Sequence, residues 1–564
     1  MNRFITTFIL MLLLITQFTP ILGQRLEELK EGNPPIAPRW VFEPWVWEDN
    51  GNTAGSTMEL VTGYRDHNIP VGAIIIDSPW STAYNSFEWD TIRYGNPQGM
   101  IDNLHEQGIR VIIWMTAMYN KTARDVPKAK SEHYDWLIEQ GYVVNDGRPD
   151  RWWKGTGVHI DFNNPDAVEW FHGQMDKMLD MGIDGWKTDA GANHVTEPVS
   201  TATGDISRKD LRWLYYGDVY DYTVKRNPEG IILARPYSHQ GDMFASPPSK
   251  CVVGWCGDFL GNWDGLQLQM EDMYKSANAG YGAIACEVGG FVHRARSNKE
   301  QLIRYAQYGA LSPVMINGGH NGGLTNHLPW YHDDETVKLY RYYATLHSEL
   351  APYIFSYSVE ANLTGKPIMR NANIEQRQHH LGEELFVSPV VTEDLYKQVY
   401  FPEDGYWIDY WNEDMVFSPD SEEIVSCPIG EIPLYIKAGA IIPMNVKNKV
   451  THHGDAFSKG KQTILIYPYE NSSFTFHKPV GEGVDYTDVE IDVDEKNGEI
   501  TVDGENQENY RLRIKSFSKP EAVENADSWK YCEKMKYVII DKKGDRFTVK
   551  IDGLDGYGEK INAL

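Results

Sequence analysis

The stretch Met181-Gly-Ile-Asp-Gly-Trp-Lys-Thr-Asp-Ala190 has the pattern of a short buried strand that is entered through a turn. Asp184-Gly185 is a turn dipeptide, and side chains alternate along the strand that follows it. Lys187 and Asp189 therefore point to the same side of this strand. An ammonium and a carboxylate at a strand end suit a site at the C-terminal mouth of a parallel barrel. A structural ion pair is the alternative interpretation of the same two residues.

Similar apolar runs lie on both sides of this stretch and alternate with helical segments such as 99–107 and 166–181. Such runs are typical of parallel strands that are buried on both faces. Eight candidate strands lie between about residues 36 and 358, at 71–77, 110–115, 158–162, 185–189, 230–235, 251–258, 282–286 and 311–315. The pattern predicts an α/β fold, a (β/α)₈ TIM barrel. A doubly wound sheet, with its ligand at one switch point, is the alternative.

The character of the sequence changes after an amphipathic helix predicted at 339–357. Short strands with Pro and Gly turns follow, which is all-β patterning and predicts C-terminal β-sandwich domains. We therefore divide the chain into four parts: a signal peptide at 1–23, the catalytic barrel at 24–358, a proximal β-sandwich at 359–450 and a distal β-domain at 451–564.

The first residues predict export from the cytoplasm. Met1-Asn-Arg3 is a short basic start, Phe4 to Phe18 is almost entirely apolar, and Gly23 offers a small residue for cleavage. This is the pattern of a secretory signal peptide, so the mature chain is expected in the periplasm or outside the cell. No later segment is apolar over the length that a membrane span needs, so we expect no membrane insertion.

The charge balance excludes some classes of partner. The chain carries 53 basic and 80 acidic residues, a net charge of −27, and nucleic-acid binding needs a basic patch. The 18 Trp and 33 Tyr residues suit a surface that stacks on sugar rings. None of the five cysteines has the spacing of a zinc site. Large barrels also hold many aromatic residues, so this composition alone identifies no ligand. We predict no nucleic-acid partner, a neutral or cationic small substrate, mostly buried and reduced cysteines, no metal and no cofactor; the oligomeric state stays open.

Several segments, in order, resemble glycoside hydrolase family 31, a family of retaining exo-acting α-glycosidases. Asp184-Gly-Trp-Lys-Thr-Asp189 is similar to its nucleophile segment, and Trp255-Cys-Gly-Asp258 is similar to its acid/base segment. Glu287-Val-Gly-Gly-Phe291 resembles the family's Asp-Ile-Gly-Gly-Phe, and the stretch from Tyr305 to Pro313 fits its last barrel strand. The resemblance runs from about residue 40 to residue 443.

The resemblance implies that Asp189 is the nucleophile and that Asp258 is the acid/base. Retaining hydrolysis needs two such carboxyl groups ~5–6 Å apart across one glycosidic bond. Lys187 beside Asp189 would favour an ionised nucleophile. Trp255 and Cys256 give Asp258 an apolar flank, which would raise the pKa of an acid.

The resemblance also implies a small carbohydrate substrate, an oligosaccharide or a glycoside, and sugar-binding residues around the two carboxylates. These are Asp77, Trp114, Lys187, Arg235, Trp255 and His320. His327 is the alternative to His320, and a local hydrogen-bonding role in a Gly-rich loop is the other interpretation of either histidine. No spacing supports a metal at these histidines.

Some positions depart from the family pattern. Ala192 stands where many members carry Glu, Glu287 stands for Asp, and the last strand reads Asn317-Gly-Gly-His320. Only about a dozen residues separate Gln24 from the barrel, which implies a member without the N-terminal β-sandwich. The motif style favours an α-galactosidase over an α-glucosidase or α-xylosidase. The alternatives are an inactive exported carbohydrate-binding protein, and a transglycosylase or lyase on the same scaffold.

Overall fold

A computed structural model describes residues 26–49, 51–189, 191–292, 298–319, 327–455 and 457–564. The predicted signal peptide at 1–23 and His320 lie outside the described residues. Eight strands form a closed barrel in which all neighbours are parallel. In chain order they are β1 Trp45–Glu48, β2 Ala73–Ile76, β3 Arg110–Met115, β4 Gly185–Thr188, β5 Ile231–Ala234, β6 Val253–Trp255, β7 Ala283–Val288 and β8 Val314–Asn317. The predicted TIM barrel is confirmed, and the doubly wound alternative is wrong because the sheet closes on itself.

One of the eight predicted barrel strands is wrong. Residues 158–162 do not enter the barrel, because Gly155–His159 pairs antiparallel with Met118–Thr122 and Asp150–Trp152 in a small separate sheet. The missing strand is β1, which pairs with both β8 and β2 and closes the barrel. An apolar run of four or five residues shows that a strand forms, but it does not show which strand it pairs with.

Helices follow the strands and cover the outside of the barrel. The longer ones are Ala54–Asp66, Pro97–Glu106, Pro165–Leu179, Arg208–Arg226, Trp263–Asn278, Lys299–Ala310 and Asp334–Thr364. Each of these begins after a Thr, Asn, Ser or Asp whose side chain accepts a backbone N–H of the first turn, the usual chemistry of a helix start. The helices predicted at 99–107, 166–181 and 339–357 each correspond to one of these helices, and the ends differ by a few residues or more.

The strands that follow the barrel form mainly antiparallel sheets, with one parallel pair between Gln462–Ile466 and Glu499–Lys515. A six-stranded sheet contains Met369–Asn373, Gln378–Leu381, Leu385–Val387, Trp407–Asp409, Val416–Phe417 and Leu434–Lys437. An eight-stranded sheet contains Ile441–Met444, Gln462–Ile466, Asn471–Pro479, Tyr486–Asp494, Glu499–Lys515, Ala522–Glu524, Ser528–Cys532 and Tyr537–Asp552. Tyr396–Tyr400 and Glu422–Ser426 form a separate pair. The predicted boundary at residue 450 falls between two strands that pair with each other.

The described part of the chain has no helix with the length and apolar character needed to cross a bilayer. All five cysteines are free, and four of them, Cys251, Cys256, Cys286 and Cys427, are buried. The prediction of mostly buried, reduced cysteines is confirmed.

Candidate active site

A cavity of about 680 Å³ opens at the C-terminal ends of the barrel strands. Seven of the residues predicted from the sequence line it: Asp77, Trp114, Lys187, Asp189, Arg235, Trp255 and Asp258. A larger hollow of about 1010 Å³ lies at the opposite end of the barrel and contains none of them. Parallel strands place their carboxyl ends on one face, so residues up to 181 positions apart in the chain meet in this cavity.

Asp189 directly follows β4 and is held from two sides. Its Oδ1 accepts a hydrogen bond from Arg235 Nε at 3.1 Å, and its Oδ2 accepts one from Trp114 Nε1 at 3.2 Å. Hydrogen bonds to a carboxylate favour its charged form. Both oxygens are oriented by groups on neighbouring strands, so the carboxylate is fixed in the state that a nucleophile needs.

Asp258 lies near the same Arg235 guanidinium as Asp189. Arg235 Nη2 is 4.0 Å from Asp258 Oδ1, and 29% of the Asp258 side chain is exposed. Burial raises the pKa of Asp258, the nearby Asp189 carboxylate raises it further, and Arg235 acts in the opposite direction. The two carboxyl groups therefore lie beside the same guanidinium. Their predicted separation of ~5–6 Å stays a prediction.

Arg235 is fixed in this position by its own surroundings. Its guanidinium carbon lies 3.9 Å from the centroid of the Trp255 ring, a cation–π contact. Its Nη1 also donates to Gln240 Oε1 at 3.2 Å. Gln240 lies in the turn between Tyr237–Ser238 and Met243–Phe244, and no sequence motif predicts its contact with Arg235.

Lys187 forms a buried ion pair with Asp77, not with Asp189 as its place in the sequence suggested. Its Nζ donates to Asp77 Oδ2 at 2.6 Å, and the side chains are 3% and 5% exposed. The ammonium lies 3.6 Å from the centroid of Trp47 and 4.2 Å from that of Trp255. Burial lowers the pKa of Lys187, but attraction to Asp77 and Glu287 outweighs this, so the pKa is raised. Lys187 is therefore charged at the floor of the cavity.

Sequence reasoning missed Asp49, which directly follows β1 and lines the cavity. Burial raises the pKa of Asp49 to about 7, and the nearby Asp77 carboxylate contributes, while Lys154 and Lys187 act against the rise. The signal was present in Trp45-Val-Trp-Glu-Asp49, which ends in acids as the second strand does. The eight predicted strands do not include this run, so Asp49 is not among the predicted site residues.

Of the two candidate histidines, the structure describes only His327. His320 lies outside the described residues. His327 is fully buried with its Nε2 2.8 Å from Glu48 Oε1, and it is not among the residues that line the cavity. Within the described ranges, no group of three or more His, Cys, Asp or Glu residues is placed to hold a metal ion.

Glu287, on β7, is a fifth acidic residue and lies beneath the cavity. It is 2% exposed, and its Oε2 has no hydrogen-bond partner among the described residues. Burial holds the pKa of Glu287 well above its ordinary value of 4.5, with opposition from Lys187 and support from Asp258. Glu287 therefore holds its proton to a higher pH than an exposed glutamate does.

Glu287→Gln is expected to gain thermal stability relative to the unsubstituted protein as pH rises above 4.5. In that window the folded protein keeps a proton on Glu287 that the unfolded chain has released, so the acid makes folding less favourable as pH rises. Glutamine has the same shape as glutamic acid but does not titrate, so it contributes no pH dependence to the stability. Thermal unfolding midpoints across this pH range, with the exposed Glu403→Gln as control, measure the effect. A constant difference between the two proteins would contradict it.

Two family models match the sequence: the Glycosyl hydrolases family 31 TIM-barrel domain at residues 34–357, and the Glycosyl hydrolase family 31 C-terminal domain at residues 352–442. Alpha-xylosidase XylQ of Lactiplantibacillus pentosus is 25% identical over 500 residues, which are 83% of this chain and 62% of the relative. Alpha-glucosidase 2 of Bacillus thermoamyloliquefaciens is 23% identical over 476 residues, 79% of this chain and 59% of the relative. The chain thus spans about three fifths of the length of these two curated relatives.

Solved structures show the same fold. A family 31 dextranase of Flavobacterium johnsoniae, complexed with glucose, superposes with a TM-score of 0.78 at 22% identity and covers 92% of this chain and 71% of its own. The barrel model alone matches more than half of the 564 residues. The closed barrel, the cavity at its C-terminal face and these matches agree, and the chain belongs to glycosyl hydrolase family 31.

Proposed function

We propose that this chain is an exo-acting retaining α-glycosidase in which Asp189 attacks the anomeric carbon and Asp258 is the acid/base. The observation that carries the proposal is the unequal environment of the two carboxyl groups around Arg235. Asp189 accepts two hydrogen bonds from Arg235 and Trp114, whereas the pKa of Asp258 is raised by burial. Environments that separate two such pKa values support one ionised and one protonated carboxyl group.

The mechanism follows from these positions. Asp189 forms a glycosyl-enzyme ester while Asp258 protonates the leaving oxygen; Asp258 then takes a proton from water, which cleaves the ester and retains the anomeric configuration. A cavity at the end of a barrel, instead of an open cleft, suits removal of a terminal sugar. The Lys187–Asp77 pair at its floor offers a charged donor and acceptor for sugar hydroxyls.

The proposal also concerns which terminal sugar the enzyme removes. The motif style favours α-galactosides. The two relatives are named as an α-xylosidase and an α-glucosidase, so α-xylosides and α-glucosides are the substrates against which this preference is tested. The signal-peptide pattern at residues 1–23 supports action in the periplasm or outside the cell. Transfer to a sugar acceptor uses the same ester, so product analysis separates it from hydrolysis.

The test is a panel of 4-nitrophenyl α-galactoside, α-glucoside and α-xyloside, with the first-formed anomer followed by NMR. We expect turnover of at least one substrate with the α-anomer formed first. A β-anomer formed first would contradict the retaining mechanism. Binding of sugars without turnover of any substrate, including natural disaccharides, would favour the inactive binding protein.

A further inference from the structure

The mouth of the cavity differs from its floor. Floor residues such as Asp77 and Trp255 are 4% and 3% exposed, and they belong to or directly follow barrel strands. The mouth carries Trp153, which is 47% exposed in the turn before Gly155–His159. His194 follows β4 on its loop, and its ring centroid is 5.2 Å from that of Trp153. An exo-acting enzyme holds the terminal sugar at the floor, so the leaving group lies toward this mouth.

Asn193 lines the cavity beside this ring pair; one arginine holds its backbone oxygen and a second orients its side-chain amide. Arg208 Nη1 donates to the Asn193 backbone oxygen at 2.9 Å, and Arg212 Nη1 donates to Asn193 Oδ1 at 3.2 Å. Arg212 is 6% exposed, and its Nε has no hydrogen-bond partner within the described residues. Turning the amide would place its NH₂ group against a guanidinium that can only donate. The Asn193 Nδ2 is therefore the group left to donate to a ligand.

The cations at the mouth are already paired. Lys154 Nζ lies 3.1 Å from Asp125 Oδ2, and Arg208 Nη2 lies 3.3 Å from Glu197 Oε2. A negatively charged leaving group would have to compete with these carboxylates for its partners. The remaining features are an aromatic face and an amide donor, which suit a neutral sugar ring.

We propose that Trp153 and Asn193 form the leaving-group subsite and that this subsite selects a neutral sugar ring. Trp153 stacks on a face of the ring, and Asn193 Nδ2 donates to one of its oxygens. Arg212 is a positioning residue, because it acts only by orienting the Asn193 amide. The assignment of the leaving group to this subsite rests on the proposed glycosidase function.

The kinetic test compares two substrates with the same glycosyl group: the α-glycosyl fluoride, which has no leaving-group ring, and the α-1,6-linked disaccharide with glucose. Asn193→Ala is expected to lose about 10-fold in kcat/KM on the disaccharide, as for one hydrogen bond, and less than about 2-fold on the fluoride. Asn193→Asp keeps an acceptor for Arg212 but loses the donor, so it should show the same selective loss. Trp153→Ala should lose about 3- to 10-fold on the disaccharide only.

Matched controls separate this effect from damage to the fold. Asn103→Ala changes an exposed asparagine of the helix Pro97–Glu106, and Trp136→Ala changes a 38% exposed tryptophan that does not line the cavity. Both should leave the ratio of the two substrates unchanged. An equal loss on the fluoride and the disaccharide in Asn193→Ala would place Asn193 at the terminal sugar and overturn the proposal, as would wild-type kinetics on both.

A binding test does not depend on turnover. In an Asp189→Asn background, titration calorimetry is run with the α-1,6-linked disaccharides of galactose, glucose and xylose with glucose, and with the free monosaccharides. Asn193→Ala should weaken binding of a disaccharide about 10-fold and leave monosaccharide binding unchanged. Equal weakening of both, no change in either, or no disaccharide binding by the parent would overturn the proposal. Failure of the proposed glycosidase function is seen separately, as no turnover of any glycosyl fluoride by the unsubstituted enzyme.

Discussion

Asp189→Ala is expected to abolish hydrolysis of both an aryl α-glycoside and a natural disaccharide, with a loss on the order of 10⁴-fold or more in kcat. Without this carboxylate no glycosyl ester can form. The two donors that hold Asp189, on Arg235 and Trp114, stay in place, so the loss is a loss of chemistry. Azide should not restore a product that retains configuration.

Asp258→Ala should behave differently on the two kinds of substrate. A nitrophenolate leaves readily without a proton, so the variant should keep much of its glycosylation rate on the aryl glycoside and lose far more on the disaccharide. Water then lacks its general base, so the glycosyl ester should accumulate. Added azide should speed its breakdown and yield an α-glycosyl azide.

The pH dependence provides a second measurement for the same pair. Asp258 acts as an acid in its protonated form, and burial raises its pKa, so activity on the disaccharide should fall as pH rises through that raised pKa. The basic limb should be weaker for the aryl glycoside, which needs no proton on its leaving group. Equal losses of Asp258→Ala on both substrates, with no response to azide, would show that Asp258 is not the acid/base, and Asp189 could still be the nucleophile.

Asp77→Ala is expected to lower both stability and activity. Asp77 is the hydrogen-bonded partner of a Lys187 ammonium that is 3% exposed, and removing one partner of a buried pair costs about 3–5 kcal/mol. The ammonium would keep its contacts with the Trp47 and Trp255 rings but would lose its carboxylate. The thermal unfolding midpoint and kcat/KM on the best substrate of the panel measure the two effects.

A double variant separates stability from function at this pair. Asp77→Asn with Lys187→Met removes both charges and keeps similar volumes, so it should recover most of the lost stability. It should stay as inactive as Asp77→Ala, because the floor no longer offers a charged donor and acceptor to the sugar. Wild-type activity in the double variant would remove the pair from the site, and wild-type stability in Asp77→Ala would contradict the cost of an unpaired Lys187.

The sequence by itself determined the class of fold and most of the site. Apolar runs such as Ala73–Ile76 and Arg110–Met115 can be stable only as strands buried on both faces. Polar residues that follow such runs, including Asp77, Asp189 and Arg235, must then meet at one face of the barrel. The residues that line the site are spread over many strands, so the family pattern consists of several separate motifs. Their order along the chain led to the correct family.

Tertiary structure alone decided which elements pair and which charges meet. The pairing of 155–159 outside the barrel and the place of Trp45–Glu48 within it depend on backbone partners far along the chain. Lys187 is two residues from Asp189, yet it pairs with Asp77, which is 110 residues away in the chain. A buried ammonium pairs with a carboxylate that is close in space, and closeness in sequence does not decide this. Asn193 likewise depends on Arg208, which holds its backbone oxygen, and on Arg212, which orients its side-chain amide. No local pattern of residues encodes these contacts.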